Sequence, residues 1–261
     1  MHIKTSTQGL LIYSAMVLYL SAMAMAWLRR PGVSRRLFFL GFLAAGASIL
    51  YRWVHTGHVP MQNLFEVFLW LGMLVYPISL ASNTLIGIQG TQADLVLGLL
   101  TLFPAGFVFS DQPQALPPAL QSPFFIPHVA SYMISYVLMA KAGFWAIVQL
   151  YGSSTQWRTA AEKATYLLIC AGLPFMTLGL LLGSMWGHYA WGDWWGWDPK
   201  ELWSLACWLV YVLYLHIRPS ALKAYPRLNA VMALIGLAFI VVTLLWVNLS
   251  RLFPGLHSYA T

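Results

Sequence analysis

The stretch 228–249, LNAVMALIGLAFIVVTLLWVNL, contains no charged side chain. A helix needs about 20 mainly apolar residues to cross a hydrocarbon core roughly 30 Å thick, so this stretch predicts a transmembrane helix. The whole chain of 261 residues is 60% hydrophobic and only 8% charged. That composition leaves too few polar side chains to cover a soluble globule of this size. We therefore expect an all-α polytopic membrane protein.

Seven further apolar runs, separated by turn residues, bring the expected number of transmembrane helices to about eight. The eight runs are 9–28, 37–54, 64–82, 94–109, 128–151, 164–186, 200–217 and 228–249. Arg29 and Arg30 follow the first run instead of preceding it, which favours a retained helix over a cleaved signal peptide. We find no repeat or long linker and expect a single membrane domain, 1–261.

Basic residues in short loops predict the orientation, because such loops stay on the cytoplasmic side. Nine of the 14 basic residues fall in three loops, and this use of the charge explains the net +7 better than nucleic-acid binding does. These residues are Arg29, Arg30, Arg35, Arg36, Arg158, Lys163, Arg218, Lys223 and Arg227. Both termini and the loops 56–63, 110–127 and 187–199 are then extracytoplasmic.

The two cysteines, Cys170 and Cys207, each lie inside an apolar run. A thiol in such a position behaves as a small hydrophobic group, so neither residue suggests a disulfide or a redox pair. The chain has no Cys-x-x-Cys-His sequence and is therefore not itself a c-type cytochrome.

The extracytoplasmic loop 187–199 is unusually rich in tryptophan. Four indole rings fall within seven positions and are separated by Gly192 and Gly196, which let the backbone bend tightly. Such a cluster suits a large, planar, apolar ligand, although an elaborate interfacial anchor would have the same composition. The tryptophans are Trp191, Trp194, Trp195 and Trp197.

The end of this loop also has a structural explanation. Asp198, Pro199 and Glu201 occupy positions expected for the N-cap, first and third residues of a helix, which is a capping box with proline at its preferred place. Capping therefore accounts for Asp198 and Glu201 without acid–base chemistry, and Asp198 is kept only as a cofactor-binding candidate. Asn63 and Glu66 repeat the spacing before the third helix.

Five of the seven histidines map to the extracytoplasmic side. Any one of them is an ordinary interfacial polar group, but two neutral imidazoles can supply both axial ligands of a haem iron. His128 and His257 flank the tryptophan loop in the sequence and are the pair we favour. The other three are His55, His58 and His188.

Three further polar residues lie within apolar runs. His216 comes 16 residues after Lys200, about 24 Å along a helix, and is either a functional group at membrane depth or a polar helix end. We expect Lys141 to extend its ammonium to the inner interface. Arg52 is a weaker candidate that could pair with a carboxylate such as a haem propionate.

Four segments carry a resemblance to a known family. The segment 191–203, WGDWWGWDPKELW, resembles the tryptophan-rich WWD signature of haem-handling proteins, and its WDPKE ending is similar to the CcsA (ResC) family of system II cytochrome c biogenesis. The segments 57–66 (GHVPMQNLFE), 214–218 (YLHIR) and 255–259 (GLHSY) are also similar to that family.

The resemblance implies haem export and covalent attachment of haem to apocytochrome c, as one component of a holocytochrome c synthase. It implies that His128 and His257 are the catalytic haem ligands at the outer face, and that His216 ligates a transmembrane haem. The cargo would be haem b, held against the tryptophans and Asp198. A CcsB/ResB-like membrane partner, an apocytochrome with a Cys-x-x-Cys-His motif and thiol-reducing thioredoxin-like proteins are the implied partners. The implied location is the bacterial cytoplasmic membrane or a thylakoid membrane.

Three alternative functions stay open at this point. A haem chaperone of the CcmC type would load haem onto a carrier without forming thioethers. A membrane b-type haem protein would use haem for electron transfer or to stabilise a complex. An ordinary solute transporter would leave the tryptophan loop unexplained.

Overall fold

The computed structural model describes residues 3–218, 225–249 and 255–257. These residues form eight long helices and no β-strand, so the all-α prediction is confirmed. The helices are α1 Thr7–Trp27, α2 Pro31–Thr56, α3 Leu64–Ile86, α4 Thr91–Phe107, α5 Phe125–Tyr151, α6 Thr155–Trp191, α7 Pro199–Ile217 and α8 Pro226–Val241. A π-helical turn, Val242–Trp246, and a last turn, Val247–Leu249, continue α8.

Six of these helices are long and apolar enough to cross a bilayer, counted over the described residues only. They are α1, α2, α3, α5, α6 and α8 with its continuation. The other two are α4, which is apolar but has 17 residues, and α7, whose 19 residues carry the charged pair Lys200 and Glu201 in the first turn. The extracytoplasmic placement of both termini stays a prediction.

The helices group into two compact units. The N-terminal unit, Met1–Pro117, contains α1–α4, and the C-terminal unit, Pro118–Thr261, contains α5–α8. The assignment of 1–261 to a single membrane domain stays a prediction.

Tyr19 forms the centre of the N-terminal unit. Its side chain is completely buried, and its hydroxyl donates to the carbonyl of Gly72 on α3 over 3.1 Å. A Cβ at Gly41 of α2 would lie 2.4 Å from the ring, and one at Gly98 of α4 would lie 2.7 Å from it. Small residues let helices approach closely in an apolar environment, so these glycines admit the tyrosine between three helices.

A buried ion pair lies at one end of the N-terminal unit. Arg52 Nε donates to Glu66 Oε1 over 2.9 Å, and both side chains are almost fully buried. The guanidinium also donates to the carbonyls of Asp111 and Gln112. Arg52 is therefore bound within its own unit, and the hypothesis that it pairs with a ligand carboxylate is wrong.

Helix α6 is longer than expected at both ends. It begins at Thr155 instead of 164, because the Ser154 hydroxyl caps the helix by accepting from Trp157 N over 3.3 Å. It continues past 186 to Trp191 and ends at Gly192, whose φ of 88° is the left-handed conformation favoured by glycine. Its 37 residues span about 55 Å, well beyond the hydrocarbon core. The irregular part of the tryptophan loop is consequently 192–198, shorter than the expected 187–199.

Close packing of α5 on α6 organises the C-terminal unit. Glycines of α6 at four-residue spacing, Gly179 and Gly183, face the rings of Tyr132 and His128 on α5, where an added Cβ would lie within 3 Å. Lys141 of α5 is also buried, so the expectation that its ammonium extends to the inner interface is wrong.

Candidate functional site

His128 lies in the first turns of α5 and packs directly on α6. Its Nδ1 is 2.8 Å from the carbonyl oxygen of Gly179. A carbonyl only accepts hydrogen bonds, so Nδ1 carries the proton and Nε2 is the nitrogen suited to coordinate a metal. A Cβ at Gly183 would lie 2.6 Å from Cε1 of the ring. The absence of a side chain at Gly183 therefore makes room for the imidazole.

His257 is held by the residue that begins α7. Its Nδ1 lies 3.0 Å from Oδ1 of Asp198, and Oδ2 of the same carboxylate accepts from Leu256 N over 2.6 Å. A Cβ at Gly255 would lie 2.0 Å from Oδ2, so only glycine allows this approach. The segment 255–257 is thus fixed against the start of α7 by one carboxylate.

Asp198 also forms the expected capping box. Its Oδ1 accepts from Lys200 N over 2.8 Å, while Oε2 of Glu201 accepts from Asp198 N over 3.2 Å. Capping of α7 is confirmed, but it is not the whole role of Asp198. Because a carboxylate has two oxygens and several acceptor positions, the same side chain caps the helix and binds the imidazole.

The electrostatics of this pair favour an ionised carboxylate and a neutral ring. Burial raises the pKa of Asp198, but the hydrogen bonds from His257 and from the Lys200 and Leu256 amides outweigh burial and lower the pKa to about 2. Burial lowers the pKa of His257, and the nearby Lys200 ammonium lowers it further, against the opposing effect of Asp198. A neutral His257 donates from Nδ1, which leaves the lone pair on Nε2 and makes it the nitrogen suited to coordinate a metal.

Trp186 connects the two histidines. Its buried indole stacks on His128 with centroids 5.5 Å apart and meets His257 edge-on at 5.2 Å. Trp191 contacts both Trp186, at 4.8 Å, and His257, at 5.0 Å. The Trp186 Nε1 donates to the carbonyl of Ala119 over 2.7 Å, which fixes the ring. Two imidazoles therefore converge on one immobilised indole.

The other tryptophans do not form one continuous platform. Trp194 is exposed and stacks on His188 with centroids 4.4 Å apart and planes 4° from parallel. Trp195 and Trp197 meet edge-to-face at 6.2 Å. Trp197 is exposed and has a φ of 56°, an unusual conformation for a bulky residue. Of the four expected tryptophans, only Trp191 contacts the histidine pair through its ring.

Lys200, the second residue of α7, lies near the two histidines. Lys200 Nζ donates to Oδ1 of Asn248 over 2.7 Å, in the turn after the π-helical segment. A π-helical turn shifts the residues that follow it around the helix axis and is frequent at functional sites. The contact joins the start of α7 to the end of the α8 continuation.

His216 lies far from the other two histidines. It is exposed in the last turn of α7, and its Nδ1 lies 2.8 Å from the carbonyl of Val212. The 16 residues from Lys200 correspond to about 24 Å along the helix. Near that end Arg218 forms two bonds with Glu162, at 2.7 and 3.0 Å. His216 therefore belongs to a different end of the C-terminal unit.

Two more histidines were expected on the extracytoplasmic side. His55 and His58 belong to the N-terminal unit, where His55 stacks on Tyr51 at 4.0 Å. Sequence reasoning missed Trp186, Gly179 and Gly183. The four-residue spacing from Gly179 through Gly183 to Gly187 was the available signal, because it marks a helix face that accepts a close neighbour.

Comparisons with known proteins agree with this architecture. The family described as "Cytochrome C assembly protein" matches residues 32–254. The "Cytochrome c biogenesis protein CcsA" of Synechococcus sp. (strain CC9902) is 31% identical over 95% of this chain and 94% of its own length. The protein of the same name from Chlamydomonas reinhardtii is 33% identical over 97% of this chain and 73% of its own length.

A solved structure has the same fold. The "Cytochrome c Heme Lyase CcmF" superposes with a TM-score of 0.67 at 18% identity, covering 94% of this chain and 48% of that protein. This chain thus spans about half the length of that structural relative. The match over most of the chain establishes that this multi-pass membrane protein belongs to the cytochrome c assembly protein family.

Proposed function

We propose that this protein binds haem b as its substrate between His128 and His257 and presents it to apocytochrome c for covalent attachment. The convergence of two imidazoles on Trp186 carries the proposal. Each Nδ1 is engaged by an acceptor, Gly179 O or Asp198 Oδ1, and each Nε2 is thereby the ligating atom. The names of the relatives, which refer to cytochrome c biogenesis, support this assignment.

The donor set suits haem chemically. Neutral imidazoles are common axial ligands of haem iron, and the rings of Trp186 and Trp191 supply an apolar aromatic wall for the macrocycle. The buried Nε1 of Trp195 has no hydrogen-bond partner among the described residues and is a donor available to a bound ligand. Two imidazoles beside apolar rings therefore suit a planar iron-containing ligand.

In this mechanism the protein supplies position and iron ligation rather than a nucleophile. Each cysteine S–H of the apocytochrome motif adds across a vinyl C=C bond of haem, forming one C–S and one C–H bond without net electron transfer. The histidine of the motif then replaces one protein ligand. Holding the vinyl groups at a fixed place converts a bimolecular encounter into an oriented reaction.

A second chain is part of the proposal. His216 is exposed near the end of α7 and, as a ligand of a transmembrane haem, requires another histidine from outside this helix. We assign that histidine to a CcsB/ResB-like membrane partner. Thioredoxin-like reductants would keep the apocytochrome thiols reduced. The complex would work in a bacterial cytoplasmic membrane, or in a thylakoid membrane in a plastid.

Imidazole complementation tests the proposal. His128→Gly and His257→Gly should each abolish holocytochrome c formation and lower bound haem, and added imidazole should restore both, because a free ligand replaces the missing ring. His188→Gly is the matched control, since this ring stacks on Trp194 away from the pair. Normal holocytochrome yield in both glycine variants would contradict the assignment. Haem binding without thioether products would instead favour a CcmC-type chaperone.

A further inference from the structure

The two histidines of the site differ in what holds them. Nδ1 of His128 donates to a neutral backbone carbonyl, that of Gly179, over 2.8 Å. Nδ1 of His257 donates to the carboxylate of Asp198 over 3.0 Å. Both rings also pack against Trp186. The acceptor that binds Nδ1 is therefore neutral for His128 and negatively charged for His257.

This difference changes the strength of the two rings as ligands. A hydrogen bond to an ionised acceptor is roughly twice as strong as one to a neutral acceptor. A carboxylate that accepts from a metal-binding histidine raises the basicity of the ligating nitrogen, and loss of such a partner typically lowers metal affinity about 10- to 100-fold. A carbonyl has no net charge and does this to a smaller extent. Nε2 of His257 is thus the stronger donor to iron.

The carboxylate is fixed where it has this effect. Asp198 is 3% exposed at its side chain and accepts from Lys200 N and Leu256 N in addition to His257. A Cβ at position 255 would lie 2.0 Å from Oδ2, so glycine lets the backbone of this segment pack directly against the carboxylate. Because Asp198 also caps α7, its position is set by a helix and not by a mobile loop.

We infer that Asp198 is a positioning residue that makes His257 the retained axial ligand and leaves His128 as the ligand that the histidine of the apocytochrome displaces. This inference rests on the proposed function. It follows from the hydrogen-bond asymmetry, since the weaker of two axial bonds is the one that an incoming imidazole replaces more readily. After displacement His128 keeps its bond to Gly179 O and remains a neutral, satisfied side chain.

Single-ligand variants of the full-length chain test the inference. The haem-loaded protein is purified in detergent, and the rate of haem transfer to excess apomyoglobin is measured for His128→Ala and His257→Ala. Each is compared with and without Asp198→Asn. Asparagine caps a helix as well as aspartate does. With its carbonyl oxygen in the place of Oδ1, this substitution removes the charge and keeps the bonds from Lys200 N and His257, while the bond from Leu256 N is lost in both backgrounds.

We expect Asp198→Asn to change the rate of haem loss in only one of the two histidine variants. His257→Ala should lose haem about 10-fold faster than His128→Ala, since it retains only the weaker ligand. Asp198→Asn should raise the rate of haem loss about 10-fold in His128→Ala, where His257 is the remaining ligand, and leave the rate in His257→Ala unchanged.

The redox potential is a second measurement. In the otherwise unchanged protein, Asp198→Asn should raise the haem midpoint potential, because it weakens His257 as a donor and a weaker donor stabilises ferric iron less. A 10-fold change in relative affinity corresponds to about 59 mV for one electron.

Three results would overturn the inference. Equal acceleration by Asp198→Asn in both backgrounds would mean that the residue acts only on the fold. Faster haem loss from His128→Ala than from His257→Ala would make His128 the stronger ligand. Absence of haem from the unmodified protein, in detergent and in membranes, would overturn the proposed function itself and the inference with it.

Discussion

Two helix caps of the same spacing have different roles in this protein. Asn63 and Glu66 begin α3, and Asp198 and Glu201 begin α7. At α3 the cap is part of a closed polar cluster, because Glu66 binds the buried Arg52. At α7 the capping carboxylate has a further acceptor position, which His257 occupies. The same local motif thus closes a buried polar cluster in one unit and organises the candidate haem site in the other.

The largest contrast should come from the two glutamates of these caps. Glu66→Ala leaves the buried Arg52 guanidinium without its carboxylate, and we expect a loss of about 3–5 kcal/mol in the free energy of unfolding. Glu201→Ala removes the bonds that its carboxylate accepts from Gly196 N and Asp198 N, worth about 1 kcal/mol each. Chemical denaturation in mixed micelles measures both changes. Similar losses of stability in the two variants would mean that the bond between Glu66 and Arg52 contributes no more than the bonds of Glu201.

A substitution at Gly183 should lower haem binding at the candidate site more than it lowers the stability of the fold. Gly183→Leu places side-chain atoms where the His128 ring lies, and we expect it to displace the ring and to cost about 1–3 kcal/mol through overpacking. Haem content should fall by more than this loss of stability explains. Gly46→Leu is the matched control, because an added Cβ there meets nothing within 4 Å. Full haem content in Gly183→Leu would show that haem binding does not depend on the position of the His128 ring.

Removing the two N-cap side chains should have similar effects on stability but different effects on bound haem. Asn63→Ala and Asp198→Ala each remove an N-cap and should lower stability by about 1 kcal/mol. Only Asp198→Ala should also change the absorption spectrum of bound haem, because it releases His257. Paired denaturation curves and spectra measure the two effects. An equal spectral change in Asn63→Ala would break the distinction between the caps.

The smallest effect is expected at Trp197, the residue before the α7 cap. Its φ of 56° is unfavourable for any residue with a Cβ, by about 1–2 kcal/mol. Trp197→Gly should therefore be about 1 kcal/mol more stable than Trp197→Ala, although both lose the same exposed ring. The two midpoints of denaturation give the difference. A more stable alanine variant would show that the left-handed conformation is not retained.

Sequence patterns predicted the helices well because those patterns act over short distances. Apolar runs located all eight helices, and the caps at Asn63 and Asp198 are confirmed. The start of α6 was missed, because its first residues are polar and lie outside the apolar run. The tryptophans also do not form the single platform that the sequence predicted, because Trp194 stacks on His188 while Trp191 contacts Trp186. Neither contact has a signature in the spacing of the tryptophans.

By itself the sequence determined the membrane class of this protein, the order of its helices and the set of residues from which a site is built. Hydrophobicity and capping need only a few neighbouring residues, so they can be interpreted along the chain. The tertiary structure decided that Trp186 contacts both His128 and His257, that Gly183 makes room for an imidazole, and that Arg52 is bound by Glu66. It also joined Asp198 to His257, 59 positions apart, through the packing of a terminal segment on α7. Such contacts depend on how helices pack, and no local propensity encodes that packing.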